Sequence, residues 1–130
     1  MTPAATRGDK LARAAFVAAV IVNLVVLYWP RSVSGGGIPY ADKIVHVAIF
    51  AVVAATGLRA RVPLGWLVGV LVAQAVISEL VQHWLLPDRT GDPADVAADL
   101  VGVAAGVLLG LKLSARTGVA TTESGGSLSS

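Results

Sequence analysis

The chain contains no cysteine, and few of its 130 residues are charged or aromatic. Without cysteine there are no disulfides, thiolate metal sites or thiol nucleophiles. Charged residues make up 14% of the chain, against roughly a quarter in an average soluble domain. The net charge of +2 is too small to indicate nucleic acid as a partner. Hydrophobic residues make up 55% of the chain, and a mean hydropathy of +0.76 indicates an integral membrane protein whose partner is the lipid bilayer.

Four apolar segments have about the length that a membrane-crossing helix requires. They cover residues 11–28, 43–58, 62–86 and 94–113. A span needs about 20 residues, and the second segment, with about 16, would be completed by flanking residues or by local thinning of the bilayer. The short connections predict an all-α, four-helix transmembrane bundle with up-down topology in one domain, residues 1–113. The Gly/Ser-rich tail 114–130 is predicted to be disordered.

The basic residues predict an orientation with both termini in the cytoplasm. Seven of the ten lie before or at the start of the first span, between the second and third spans, or at the end of the fourth span and after it: Arg7, Lys10, Arg13, Arg59, Arg61, Lys112 and Arg116. Because lysine and arginine mark cytoplasmic loops, we expect residues 30–42 and 87–93 outside the cell membrane. Trp29, Tyr40 and Trp84 then lie at the outer boundary, where amphipathic rings are favoured. The first segment also has features of a cleaved signal peptide, but its long apolar stretch favours a retained helix.

The acidic residues are concentrated in one otherwise apolar segment. Five of the eight lie between positions 77 and 102: Glu79, Asp88, Asp92, Asp95 and Asp99. The helical rise places Glu79 roughly 10 Å and Asp99 roughly 8 Å below the outer helix ends, with His46 somewhat shallower. A charged acid near the bilayer centre costs about 2.5–3.5 kcal/mol. Three ionisable groups at matching depth predict one hydrogen-bonded cluster of His46, Glu79 and Asp99, reached from outside.

Helical spacing places further polar residues on the same faces. Residues three or four apart share a face: Asp42 with His46, and Glu79 with Gln82 and His83. The fourth segment carries one longer stripe, formed by Asp95, Asp99, Gly102, Gly106 and Gly110. Glycines at this spacing let two membrane helices approach closely, so we expect the acids of this stripe to point into the bundle.

The residues at the helix starts have structural explanations as well as functional ones. Asp92 followed by Pro93 predicts an N-cap of the fourth helix. Asp95, in the first turn, suits either the helix dipole or a functional site. Asp42 is predicted to be the N-cap of the second helix. Lys43 opposes the dipole there, so it pairs with an acid, reaches a headgroup phosphate or remains solvated.

Three stretches, ADKIVHVAIF, ISELVQHWLLPDR and GDPADVAADLVGVAAG, together resemble the VanZ-like family of small bacterial membrane proteins. That family shows an Asp-Lys-x-x-His motif, a Glu-x-x-Gln helix before an Arg-containing turn, and an Asp-x-x-x-Asn helix with Gly-x-x-x-Gly. The matching positions are Asp42, Lys43, His46, Glu79, Gln82, Arg89, Asp95, Asp99, Gly102 and Gly106. This chain departs from the family with Val47 in place of Phe and Asp99 in place of Asn. The resemblance implies a role linked to low-level resistance to teicoplanin-type glycopeptides.

The first functional hypothesis is a binding or modulating protein of the cell envelope. Lys43 and Arg89 would stand at the rim of an outward-facing pocket and hold a phosphate or carboxylate of a lipid-linked cell-wall intermediate. The predicted ligand-binding residues are Asp42, Lys43, Gln82, Arg89 and Asp95.

The second hypothesis is an intramembrane hydrolase or transferase, with His46, Glu79 and Asp99 as catalytic residues. His46 and Glu79 would supply a base and an acid, and Glu79 and Asp99 could share a proton. The chain has no serine nucleophile motif, and Ser78 should point off the face of Glu79. Such an enzyme would therefore need an activated water molecule.

Two further alternatives are a metal site and a purely structural polar core. Nitrogen and oxygen ligands would suit zinc or manganese, from a set of His46, Glu79, His83, Asp95 and Asp99. The chain has no HExxH motif, and the sequence predicts no cofactor. In the structural alternative, buried polar groups fix helix register without chemistry.

Overall fold

A computed structural model of the protein describes residues 4–29, 40–86 and 91–124, with side chains as far as residue 117. These ranges form four helices: α1 (Arg7–Tyr28), α2 (Ala41–Arg59), α3 (Leu64–Leu85) and α4 (Pro93–Ser124). All four are long and apolar enough to cross a membrane, α4 over Pro93–Thr117. The three ranges contain no strand, which confirms the predicted all-α fold class. The four helices indicate a multi-pass membrane protein.

The first two helices begin earlier than predicted. α1 starts at Arg7 because Thr6 forms a capping box: Thr6 Oγ1 accepts from the Asp9 N–H at 3.2 Å, and Asp9 Oδ2 accepts from the Thr6 N–H at 3.1 Å. α2 starts at Ala41, so the prediction of Asp42 as its N-cap is wrong. Asp42 lies in the first turn of α2, which with 19 residues is long enough to span.

α4 continues past the predicted end of the fourth span. It has 32 residues, so the prediction of disorder is wrong for residues 114–124, while residues 125–130 lie outside the described ranges. The hydroxyl of Ser114 donates to the Gly110 carbonyl at 2.9 Å, and that of Thr117 to the Leu113 carbonyl at 3.3 Å. Because these hydroxyls donate to carbonyls one turn earlier in the same helix, their hydrogen-bonding needs are met there, and the polar composition is compatible with a helix.

The most extensive helix contact joins α2 to α4 along the glycine stripe. Gly102, Gly106 and Gly110 are buried. A Cβ added to Gly102 would lie 2.5 Å from the Val47 carbonyl oxygen, and one added to Gly106 would overlap the Ala51 carbonyl oxygen. The predicted close approach along these glycines is thus confirmed. The contacts follow the same order along both helices, so the start of α2 lies beside the start of α4.

Apolar side chains from all four helices form the core, and others cover the outside. The core cluster consists of Leu27, Phe50, Val53, Ala54, Leu67, Leu71, Ala75 and Val103. Each helix also exposes large apolar side chains, for example Val25, Val52, Val70 and Leu108. An apolar exterior suits helices surrounded by lipid, while polar groups gather inside.

Candidate functional site

Lys43 joins the start of α2 to the start of α4. Its Nζ donates to Asp92 Oδ2 and to Asp95 Oδ1, each at 2.8 Å. The Lys43 side chain is 31% exposed, whereas that of Asp95 is 6% exposed. Pairing with acids is therefore the role that the structure gives to Lys43. An ammonium has three N–H groups, so one remains after these two bonds.

Asp92 organises the turn before α4. Its Oδ1 accepts from the Ala94 N–H at 2.9 Å, which confirms the predicted N-cap. Its own backbone N–H donates to Glu79 Oε2 at 2.8 Å and so ties the turn to α3. The hydrogen bond from Lys43, and after it that from Ala94, favours the ionised carboxylate and holds the pKa of Asp92 below its usual range.

His46 and Asp99 form a buried pair one helical turn beyond Lys43 and Asp95. His46 Nδ1 lies 2.8 Å from Asp99 Oδ1, and the two side chains are 3% and 0% exposed. Among the described residues, Asp99 Oδ2 has no hydrogen-bond partner. The pair can form at this distance because Gly102, three residues after Asp99, lets α4 touch the α2 backbone.

Glu79 bonds to the turn before α4 rather than to His46 or Asp99. Its Oε2 accepts from Asp92, and its buried Oε1 has no hydrogen-bond partner in the described part of the chain. The predicted cluster of three is therefore divided into the pair His46–Asp99 and a separate contact of Glu79. Gly91 explains the division, because a Cβ there would lie 2.9 Å from the Glu79 carbonyl oxygen. The missing side chain lets the turn approach α3.

A second set of polar contacts, which was not predicted from the sequence, joins α1 to α3. Gln74 Nε2 donates to Oδ1 of the buried Asn23 at 2.5 Å. Gln82 Nε2 donates to the Leu27 carbonyl at 2.8 Å, so this amide, predicted to bind a ligand, holds α1 against α3. A signal for Asn23 exists in the sequence, since it is the one amide in the apolar run of α1. Such amides commonly bond across membrane helices.

Three other predicted residues have different outcomes. Ser78 is fully buried, and its hydroxyl donates to the Ala75 carbonyl at 3.1 Å, so it serves the helix backbone. His83 is exposed, and its ring lies edge-on to the ring of Trp84, with the ring centroids 6.4 Å apart. Arg89 lies outside the described residues.

One further cluster combines His46 and Asp95, two members of the predicted metal set, with Asp42, which was predicted to bind a ligand. Ligand atoms of Asp42, His46 and Asp95 lie within 4.8 Å of one another, so this trio could hold a metal ion. The polar groups thus form two layers between α2 and α4, with Lys43 and its acids in one and His46–Asp99 in the next. The chain matches no protein-family model, no curated protein and no solved structure.

Proposed function

We propose that the protein is a VanZ-like protein of the cell membrane that binds the polar head group of a lipid-linked cell-wall precursor. The observation that carries the proposal is Lys43, held between Asp92 and Asp95 next to the buried His46–Asp99 pair. Ionisable groups inside membrane-spanning helices are costly and mark ligand sites or pathways. Through this binding the protein would have a role in the response to teicoplanin-type glycopeptides, as the family resemblance implies.

The site offers both donors and acceptors to such a head group. Lys43 keeps one N–H for a phosphate oxygen, and its partial exposure leaves that N–H within reach. The carboxylates of Asp42 and Asp95 can accept hydrogen bonds from sugar hydroxyls or peptide N–H groups. Glu79 Oε1 adds a buried acceptor with no partner of its own among the described residues. Arg89, which precedes α4 in the sequence, supplies a second cation in this proposal.

In the proposed arrangement the bundle has up-down topology, its termini lie in the cytoplasm, and the site opens outside. The matching order of contacts along α2 and α4 supports this topology, because α3 must return the chain between them. The opposite end of the bundle carries Arg61, which pairs with Asp9 at 3.3 Å, and further basic residues. Basic residues of this kind favour the cytoplasmic side.

Single-cysteine labelling tests this orientation, and the cysteine-free chain makes the assay clean. Tyr40 is 74% exposed at the start of α2, and Ala5 is exposed before α1. A membrane-impermeant maleimide should label Tyr40→Cys in intact cells. It should label Ala5→Cys only after the cells have been permeabilised. The reverse pattern would place the site on the cytoplasmic side and reject the proposed ligand.

Head-group binding should depend on Lys43. Wild-type protein in nanodiscs should bind a purified precursor with a pyrophosphate-linked sugar–peptide head group, as measured by microscale thermophoresis. Lys43→Met removes a charge-assisted hydrogen bond and should weaken binding about 10- to 100-fold. Arg61→Met is the matched control, because it removes one cation at the opposite end, and it should bind as wild type. Equal affinities of Lys43→Met and wild type would contradict the proposal.

A second candidate function, an intramembrane hydrolase or transferase, is favoured by the His46–Asp99 geometry. A carboxylate 2.8 Å from Nδ1 orients an imidazole and stabilises its protonated form, as in many general bases. In this case the carboxylate that orients His46 is that of Asp99 and not that of Glu79. Conversion of the bound precursor to a product, with loss of conversion in His46→Gln but retention of binding, would identify an enzyme.

A further inference from the structure

The trio Asp42, His46 and Asp95 has the composition and position of a cation site. Two members are one turn apart on α2, and the third lies in the first turn of α4. Their ligand atoms lie within 4.8 Å of one another; Asp42 is half-buried and the other two are buried. The site thus combines one imidazole with two carboxylates.

Asp99 supports this site through its contact with His46. It engages Nδ1, so with an ionised carboxylate Nδ1 carries the proton and Nε2 keeps its lone pair. A carboxylate that fixes the tautomer of a histidine in this way is the usual support of a metal-binding imidazole. Asp95, like His46, has one atom engaged and one left for a cation: its Oδ1 accepts from Lys43, and its Oδ2 remains.

The charge balance of the region favours an additional cation. Five carboxylates, those of Asp42, Glu79, Asp92, Asp95 and Asp99, converge near the starts of α2 and α4. The cationic side chains in the described part of this region are Lys43 and His46, and Arg89 precedes α4 in the sequence. The carboxylates remain in excess even if all three are charged. Glu79 Oε1 and Asp99 Oδ2 are buried without partners among the described residues, and such groups are costly unless compensated.

We propose that Asp42, His46 and Asp95 bind one divalent cation of the manganese or zinc type, with Asp99 as the positioning residue of His46. One nitrogen and two carboxylate ligands suit these ions. Three protein ligands leave at least one coordination position open.

The open coordination position would let the metal ion take part in the function proposed above, and this step rests on that function. Lys43 is already paired with two acids, so its positive charge is largely compensated before a ligand arrives. A divalent cation beside it would supply the charge that a pyrophosphate requires and would bind a phosphate oxygen directly.

Metal binding can be measured without any precursor. The full-length protein in detergent micelles, stripped with a chelator, should bind one Mn²⁺ or Zn²⁺ per chain in competition with a fluorescent chelator. Asp42→Asn removes one ligand at the half-buried position and should weaken binding at least about 100-fold. Asp99→Asn should weaken it about 10- to 100-fold, because the imidazole loses its ionised support. Asp9→Asn removes a carboxylate far from the trio and should bind as wild type.

The outcomes separate this inference from the proposed function. Helical circular dichroism equal to that of wild type shows that each variant is folded. A folded wild type that binds neither metal, or an Asp42→Asn variant with wild-type affinity, would overturn the cation site. A protein that binds Mn²⁺ or Zn²⁺ but not the precursor keeps the cation site and rejects the proposed ligand. Precursor binding that persists in the metal-stripped protein would reject the link between the two.

Discussion

The His46→Leu variant is expected to lose about 3–5 kcal/mol of unfolding free energy, because it leaves Asp99 buried without a partner. Asp99 is fully buried, and its Oδ2 already has no partner among the described residues. The substitution of His46 also removes the hydrogen-bond partner of Asp99 Oδ1. Titration of the protein in mixed micelles with sodium dodecyl sulfate, followed by circular dichroism, measures the loss.

The double variant His46→Leu/Asp99→Leu should recover most of this stability. Replacement of a buried ion pair by apolar side chains of similar volume is often neutral or stabilising. The cycle of single and double variants should therefore give a coupling energy of at least about 2 kcal/mol, at the upper end of the range for side chains in contact. Additive losses would mean that the two side chains do not interact. A stable double variant that still binds the precursor with wild-type affinity would give the polar core a purely structural role.

Gly106→Ala is expected to lower the unfolding free energy by about 1–3 kcal/mol through overpacking. The added Cβ would overlap the Ala51 carbonyl oxygen and lie 2.7 Å from the Ala54 Cβ, so α2 and α4 would have to separate. Separation at this level would also disturb the His46–Asp99 pair, one to two turns away. The same detergent titration measures the effect.

Gly69→Ala is the matched control for this substitution. Gly69 is an exposed glycine within α3, and a Cβ there meets nothing within 4 Å. The change should leave stability equal to wild type or raise it by up to about 1 kcal/mol, since alanine is the better helix former. Equal effects of the two substitutions would show that the loss at Gly106 comes from glycine as such and not from close helix contact.

The features of the fold that depend on neighbouring residues in sequence were predictable. Asp92 and Pro93 indicate a helix start through local chemistry, and the glycine spacing of α4 indicates a close contact face. The extension of α4 was not predictable from composition, because the hydroxyls of Ser114 and Thr117 bond to carbonyls within the helix. A Ser/Thr-rich segment is compatible with either state until those bonds are known.

The candidate site was less predictable, because spacing on one helix does not specify the neighbouring element. Glu79 and Gln82 share a face of α3, yet Glu79 contacts the turn before α4 and Gln82 contacts the Leu27 carbonyl of α1. The α3 face that carries these two residues touches two neighbouring elements, and the sequence does not specify which residue contacts which element. His46 and Asp99 were placed together correctly because α2 and α4 share one continuous interface.

The length of α4 has a consequence for how the protein meets its surroundings. Its 32 residues, at about 1.5 Å each, make a rod of about 48 Å, whereas the hydrocarbon layer is about 30 Å thick. A rod longer than the layer is thick must either tilt or carry its last turns beyond the hydrocarbon. Asp95 and Asp99 belong to the same uninterrupted helix, so a rotation of its C-terminal end about the helix axis would also turn these two carboxylates.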